Sequence, residues 1–201
     1  MPTHTYEYII FPTLRLWRSW FKIETVKLIS TTLALKSLKP ERVVFVLSYD
    51  RKNNRPSGMV CGWSTICSSD PNMMAVCLWK KGYTHKLIQD TKEFVVAIPN
   101  LSMEEAIHVF GENHGDKIDK FELSKVKTSE AKYVKVPLLS DATMNFECKL
   151  EKEVDSGDHI IFIGKVMASW MNEDKKVLIN MGKKGEKRVF QEFPIISKQE
   201  I

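Results

Sequence analysis

The chain has 201 residues, of which 43% are hydrophobic and 27% charged, and it carries a net charge of +5 at neutral pH. This length and composition exclude a disordered chain and suit one globular domain with a well-developed core. The positive charge is too small to make nucleic acid the expected partner.

The four cysteines, Cys61, Cys67, Cys77 and Cys148, include no C-x-x-C pair, and their spacing matches no zinc-binding template. A chain of this size does not need disulfide bonds to fold. No apolar run approaches the ~20 residues that span a bilayer, and the N-terminus lacks a secretory signal pattern. We therefore expect reduced thiols, no metal site, no transmembrane segment and a cytoplasmic location.

Residues 1–25 differ in composition from the rest, because aromatic and basic side chains dominate and Trp17, Trp20 and Phe21 fall at helical spacing. Three interpretations remain open: a helix on a membrane surface, a helix packed on its own domain, or a loosely ordered extension. We assign 1–25 as an N-terminal extension and 26–201 as the main domain.

The first predicted elements are a short helix in "LALKSLKP" and a strand over 43–49, where "VVFVLSY" is β-branched and aromatic. The polar turn "DRKNNRPSG" predicts that this strand pairs with the next one, over 58–66. Asp70-Pro71 ends that second strand. The apolar run "MMAVCLWK" then predicts a third strand, buried on both faces.

The second half begins with a helix in "YTHKLIQDTKE" and a strand in "FVVAIPN". A Ser-x-x-Glu capping box at Ser102 and Glu105 predicts a further helix that ends near Gly111, followed by a polar loop around "NHGDKIDKFE". Two long strands, 142–154 and 159–171, flank the turn "DSGD" and predict a hairpin. "KVLIN" favours a short last strand.

The fold class that follows is mainly β with short peripheral helices. Six or more strands and two or three helices occur without the regular alternation of a doubly wound sheet, so a closed antiparallel barrel fits best. The chain has no G-x-S-x-G, P-loop, G-x-G-x-x-G or H-E-x-x-H motif. We therefore name no catalytic residue and disfavour a Rossmann nucleotide site.

The strand before Asp70 carries small hydroxyl side chains where aliphatic residues are usual: Ser64, Thr65, Ser68 and Ser69. Small residues let a flat ligand approach the main chain, and hydroxyl and N–H groups can hold polar ring edges or phosphate oxygens. The alternative is a strand end in which Ser and Thr satisfy local backbone groups.

Thr84, His85 and Lys86 open a predicted helix, whose free N–H groups and positive dipole end favour a phosphate. A Thr84 N-cap beside a solvated lysine is the alternative. Cys77 alternates with Met73, Ala75 and Trp79 on one strand face and is a small hydrophobic residue unless a redox group lies there. His159 opens an apolar strand after a tight turn, where a lone histidine is more often structural than functional.

In chain order, "PERVVFVLSYD", "WSTICSSDP", "MMAVCLW", "YTHKLIQDTKEFVVAIPN", "DKF" and "FECKLEKEVDSGDHIIFIGKV" resemble the flavin reductase-like, FMN-binding split-barrel family, which includes flavoredoxin and ferric reductases. The resemblance covers about residues 38–172 and depends on the collinear order of these fragments. It implies a six-stranded antiparallel Greek-key split β-barrel. It also implies a homodimer with one FMN per subunit near the dimer interface.

The resemblance also implies roles for individual residues. Thr84, His85 and Lys86 would hold the phosphate of FMN, Cys77 would lie on the strand beneath the ring, and His159 would face the nicotinamide. The residues along the isoalloxazine ring would be Cys61, Gly62, Trp63, Ser64, Thr65 and, further on, Ser68.

The function implied is an oxidoreductase that passes electrons from NADH or NADPH through FMN to free flavin, ferric iron or an acceptor protein. Two alternatives remain open. One is an FMN-binding electron carrier without a nicotinamide reaction, and the other is a flavin-free split barrel that binds a partner.

Overall fold

The computed structural model describes residues 27–173 and 176–195. The predicted extension, residues 1–25, lies outside the described residues. The chain divides into two units, Met1–Leu38 and Lys39–Ile201. In the first, helix α1 (Thr31–Lys36) begins after Ser30, whose side chain accepts a hydrogen bond from the Leu33 backbone N–H.

The described part of the second unit contains strands, three α-helices and one 3-10 turn. The strands are β1 (Glu41–Arg42), β2 (Val44–Asp50), β3 (Arg55–Cys61), β4 (Ser64–Ser69), β5 (Asn72–Trp79), β6 (Glu93–Ile98), β7 (Thr128–Ser129), β8 (Leu138–Leu139), β9 (Met144–Ser156), β10 (His159–Met171), β11 (Val177–Lys184) and β12 (Lys187–Phe193). The helices are α2 (Tyr83–Thr91), α3 (Glu104–Glu112) and α4 (Lys120–Ser124), and the 3-10 turn is Leu101–Met103.

Seven strands form one sheet in the order β3-β2-β6-β9-β10-β5-β4, and every neighbouring pair is antiparallel. Its edge strands β3 and β4 are separated in the chain by Gly62 and Trp63 alone. Cys61 and Ser64 are three Cα steps apart, a span of at most about 11 Å, so the two edges must meet at this junction and the sheet must curl. This confirms the predicted antiparallel split barrel.

The predicted single strand over 58–66 is wrong, because the chain turns at Gly62 and divides it into β3 and β4. The Ser64 N–H donates to the Gly62 carbonyl at 3.2 Å. A side chain at Gly62 would meet the Glu41 carboxyl carbon at 3.0 Å, so the close approach favours glycine. The predicted pairing of the first two strands, the break at Asp70 and the long hairpin are confirmed.

The apolar core has two parts that share the central strand β2. Val44 and Val46 face the barrel interior together with Val76 and Phe162, whereas Phe45 and Leu47 face a second cluster. That second cluster includes Phe110 of α3. β2 is therefore buried on both faces, which explains its continuous apolar run.

Two local predictions after β6 are wrong. Ser102 does not form the predicted capping box, because its N–H and hydroxyl both donate to the Asn100 side-chain oxygen, at 3.1 and 2.6 Å. The predicted polar loop contains α4, which Asp119 caps through hydrogen bonds from two backbone N–H groups. Lys120 anchors α4 by donating to the Gly58 and Phe110 carbonyls, at 3.0 and 2.8 Å. Burial lowers the pKa of Lys120 to about 8.

Glu147 on β9 is a fully buried carboxylate that ties a connecting segment to the barrel. Its oxygens accept hydrogen bonds from the Lys132 and Tyr133 N–H groups, at 3.0 and 2.6 Å, and from the Trp170 indole at 2.7 Å. Burial raises the pKa of Glu147, but these donors outweigh it and hold the pKa below its ordinary value of 4.5. The ionised carboxylate therefore stabilises the fold.

We expect Glu147→Gln to lower the free energy of unfolding by about 3 kcal/mol, because an amide nitrogen would face N–H donors. Glu151→Gln, at an exposed position of β9, is the control and should change little. Urea unfolding followed by circular dichroism measures both variants. The carboxylate contributes stability above pH 4.5, the unfolded-state value, and this contribution is lost as the pH falls through the lower folded pKa. The wild-type advantage should shrink over that range, and equal stability at neutral pH would contradict this role.

Candidate functional site

Trp63 lies in the short connection between β3 and β4, and its carbonyl oxygen links this connection to β5. The Cys77 N–H donates to this oxygen at 2.9 Å. The Cys61 thiol lies 3.4 Å from the same oxygen and 3.7 Å from the Cys77 carbonyl. Burial raises the pKa of Cys61 to about 12, so its side chain is a neutral structural group turned into the barrel. Cys61 therefore presents main chain, not thiol, to the surface.

Trp63 and His159 form an aromatic pair on the outside of the barrel. The Trp63 side chain is 59% exposed, and its ring centroid lies 4.8 Å from that of His159. His159 opposes Trp79 in the register of β10 and β5, and its Nδ1 lies 2.6 Å from the Asp158 carboxylate. The Asp158 contact orients the imidazole beside the indole.

Cys77 lies on the outward face of β5, where the strand alternates between core and surface. Val76 and Leu78 belong to the interior cluster, while Ala75, Cys77 and Trp79 point the other way. Burial raises the pKa of Cys77, so this thiol too is neutral. Met73, predicted for the same face, lies at the beginning of β5 and lines a cavity instead.

The predicted hydroxyl cluster is divided between the two faces of β4. Ser64 opposes Val76 and Thr65 opposes Ala75, and directly opposed residues of an antiparallel pair share a face. Thr65 therefore points outward, whereas the Ser64 hydroxyl is buried and has no hydrogen-bond partner among the described residues. Ser68 lies at the far end of β4. The three hydroxyls do not form one site.

Helix α2 begins without a side-chain cap. Gly82 occupies the N-cap position, so the alternative of a Thr84 N-cap is wrong. Thr84 and His85 are 2% and 7% exposed, and Lys86 is exposed. The first turn of α2 therefore offers N–H groups that no side chain satisfies, beside a free lysine side chain.

His85 is the least satisfied buried side chain of this region. Both ring nitrogens are buried and lack a hydrogen-bond partner among the described residues. The ring packs against Phe162, with the two ring centroids 5.5 Å apart. Burial lowers the pKa of His85, which keeps the imidazole neutral. An unpaired buried polar group costs about 1–3 kcal/mol, so His85 fits a site in which a bound polar group completes its hydrogen bonds.

The structure thus sorts the predicted residues into groups. Trp63, Cys77 and His159 lie together at the end of β5 and the beginning of β10. The turn after β5, closed by a hydrogen bond from the Gly82 N–H to the Trp79 carbonyl at 2.8 Å, leads directly to Thr84.

A cavity of about 480 Å³, which the sequence did not indicate, lies at the opposite ends of β5 and β10. Its lining residues are Arg42, Val43, Val44, Ile66, Ser68, Asn72, Met73, Met74, Ile98, Met144, Phe146, Val166, Ser169, Val177, Leu178 and Ile179. Of the predicted site residues, Ser68 alone belongs to this lining. The lining comes from strands far apart in the chain, so no local pattern marks it.

Residues 27–173 and 176–195 contain neither a metal-binding cluster nor a membrane-spanning helix. Within these ranges, no three His, Cys, Asp or Glu side chains are grouped closely enough to hold a metal ion. None of the helices in these ranges has the length and apolar character needed to cross a membrane.

A family model described as flavin reductase-like domain matches residues 37–186. An uncharacterized protein of Archaeoglobus fulgidus is 34% identical over 133 residues, which cover 66% of this chain and 73% of that protein. The ferric-chelate reductase (NAD(P)H) of the same organism is 30% identical over 128 residues, which cover 63% of this chain and 74% of that protein.

The fold has a solved counterpart in the FMN-binding protein of Thermus thermophilus, whose structure contains p-hydroxybenzaldehyde. The two superpose with a TM-score of 0.71, covering 88% of this chain and 99% of that one at 21% sequence identity. At this identity the likeness concerns the fold.

The four thiols should differ in reactivity, because Cys67 is exposed whereas Cys61 and Cys148 are buried with pKa values raised to about 12. We expect iodoacetamide at about pH 8 to label Cys67 first, and Cys61 and Cys148 only after unfolding. Timed labelling with peptide mass mapping measures the order, and Cys67→Ser should remove the fast phase. Rapid labelling of Cys61 in the folded protein would contradict the closure described at Trp63.

Proposed function

Because the chain belongs to the flavin reductase-like domain family, we propose that it is a homodimeric, FMN-binding oxidoreductase that uses NADH or NADPH to reduce an acceptor. The acceptor would be free flavin, ferric iron or a protein. The observation that carries the proposal is the first turn of α2, which no side chain caps and which begins directly after β5, the strand that carries Cys77. When bound there, FMN would supply the hydride and electron transfer chemistry.

The outward face of β4 and β5 carries small side chains, which a flat ring lying on it would require. Thr65 and Ala75 are opposed on this face, Thr65 exposed and Ala75 8% exposed, and larger side chains there would fill the space that a ring needs. β4 is an edge strand of the seven-stranded sheet, so its free side has no neighbouring strand within the described residues. Its N–H groups on that side can donate to the polar edge of a ring.

Cys77 would lie under the ring as a neutral thiol. Burial raises its pKa, so at neutral pH it adds no negative charge against a cofactor that becomes more electron-rich on reduction. Its N–H is already bonded to the Trp63 carbonyl, which fixes the thiol relative to β4. We propose that Cys77 contributes only to the shape of the surface under the ring, and that backbone N–H donors stabilise the negative charge of the reduced flavin.

The first turn of α2 would hold the phosphate of FMN. Its N–H groups have no side-chain cap, Lys86 adds an exposed cation, and His85 has two ring nitrogens without partners. Both nitrogens of the neutral His85 ring are buried, so its N–H would reach a phosphate oxygen once the ring turned outward, and the helix dipole favours the negative charge. Thr84, almost fully buried beside them, would position this turn.

His159 and Trp63 would form one wall of the nicotinamide site. Asp158 holds the imidazole, and the indole is tilted by 40° against it, so the pair offers a fixed aromatic surface beside Cys77. The partly exposed apolar residues Trp79, Ile161 and Ile163 continue the same sheet face and support its burial by a second copy of the chain.

Titration of cofactor-free protein with FMN, then anaerobic addition of NADH or NADPH, tests the proposal. We expect saturable binding of one FMN per chain and loss of the flavin absorption at about 450 nm when the nicotinamide is added. Bound FMN that neither nucleotide bleaches would replace the proposal with an electron carrier. Protein unable to take up FMN would leave a flavin-free binding module.

The phosphate assignment predicts a difference between FMN and riboflavin, which lacks the phosphate. We expect the double variant Thr84→Ala, Lys86→Ala to weaken FMN binding roughly tenfold, since it loses about 1.4 kcal/mol of charged contacts, and to leave riboflavin binding within about twofold. Fluorescence titration measures both ligands, and Lys149→Ala, at an exposed position of β9, is the control. Unchanged FMN affinity, or an equal loss for both ligands, would contradict the assignment.

A further inference from the structure

The cavity between β4, β5, β9, β10 and β11 is large enough to bind a small molecule. Its volume of about 480 Å³ lies within the range of about 300–1,000 Å³ that ligand sites occupy. Most of the wall is apolar, which is also typical of such sites. The wall is formed by the seven-stranded sheet, which contains β2, and by the three-stranded sheet, which contains β11. The cavity therefore exists only when both sheets have assembled.

The apolar wall favours a flat aromatic ring over a branched aliphatic group. Met73, Met74 and Met144 contribute unbranched, polarisable thioethers, and Phe146 contributes a ring from the same region of β9. Methionine side chains adapt to irregular ligands and make favourable sulfur–aromatic contacts, while a phenyl ring offers stacking or edge contacts.

Arg42 carries the only charge among the described residues that line the cavity. Arg42 is exposed, and none of the described carboxylates lies within ion-pair distance of its guanidinium. The neighbouring Glu41 pairs with Lys39 and accepts a hydrogen bond from Asn180 at 2.8 Å. A guanidinium without a partner beside an apolar cavity is suited to a carboxylate, which it can bind through two parallel hydrogen bonds. Ser68 and Asn72 add neutral polar groups.

We propose that this cavity binds a small aromatic carboxylate, with the ring among the methionines and Phe146 and the carboxylate on Arg42. The proposal does not rest on the flavin assignment. Ile66 opposes Met74 and lines the cavity, whereas Thr65 opposes Ala75 on the outward face of the same strand pair. The carboxylate and the proposed FMN therefore occupy opposite faces of β4–β5 and do not compete.

Titration of the full chain with 2-naphthoate and its neutral analogue 2-naphthamide, by calorimetry, tests the proposal. We expect one saturable site for each. Arg42→Gln should weaken 2-naphthoate roughly tenfold and 2-naphthamide less than twofold, because the amide has no charge to lose. Arg188→Gln, an exposed arginine on β12 that does not line the cavity, is the matched control and should change neither.

Ser169→Trp, at an exposed position of the cavity wall, should block both probes without preventing FMN binding. The proposal is overturned by the absence of saturable binding at millimolar probe, by equal effects of Arg42→Gln on the two probes, or by displacement of 2-naphthoate by FMN. Protein that binds 2-naphthoate but not FMN would contradict the proposed function and leave this inference intact.

Discussion

The architecture depends on one constraint: Gly62 and Trp63 alone connect the two edge strands of a seven-stranded sheet. The sheet has to curl until its edges meet, and the Trp63 carbonyl then accepts the Cys77 N–H across the junction. A flat sheet of the same strands could not satisfy this connection. The closure brings Trp63 beside His159, and the short turn after β5 leads to the start of α2; together these elements would form the proposed flavin surface.

The β4–β5 pair has a proposed ligand site on each of its two faces. Thr65 and Ala75 point outward, toward the proposed cofactor, while Ile66 and Met74 point into the cavity. A sheet is only about 10 Å from one packed layer to the next, so two ligands could sit close together without touching. The mildly basic chain also supplies separate cations, Lys86 and Arg42, for two anionic groups.

Much of the fold could be predicted because its signals are local. The apolar run of β2 and the Gly157 turn of the β9–β10 hairpin are features of adjacent residues. The predictions failed where a distant residue decides the outcome. For example, α4 depends on Lys120 reaching carbonyls of β3 and α3. The cavity could not be predicted at all, since its wall comes from many strands. For the proposed flavin site, the sequence indicated which residue types are present. Which of the Ser and Thr side chains point to each face of β4 became clear only from the register of β4 and β5.

The bulge in β4 means that deletion of one residue could change the cavity lining without changing the fold. Ile66 and Ser68 oppose the consecutive residues Met74 and Met73, so Cys67 is an extra residue in the ladder. Loss of its single codon would leave the hairpin paired but bring Ser68 directly after Ile66, and side chains alternate along a strand. Ser68 would then point away from the cavity that it now lines together with Ile66. A one-residue change in length at this position would therefore alter what the barrel binds while its topology stayed the same.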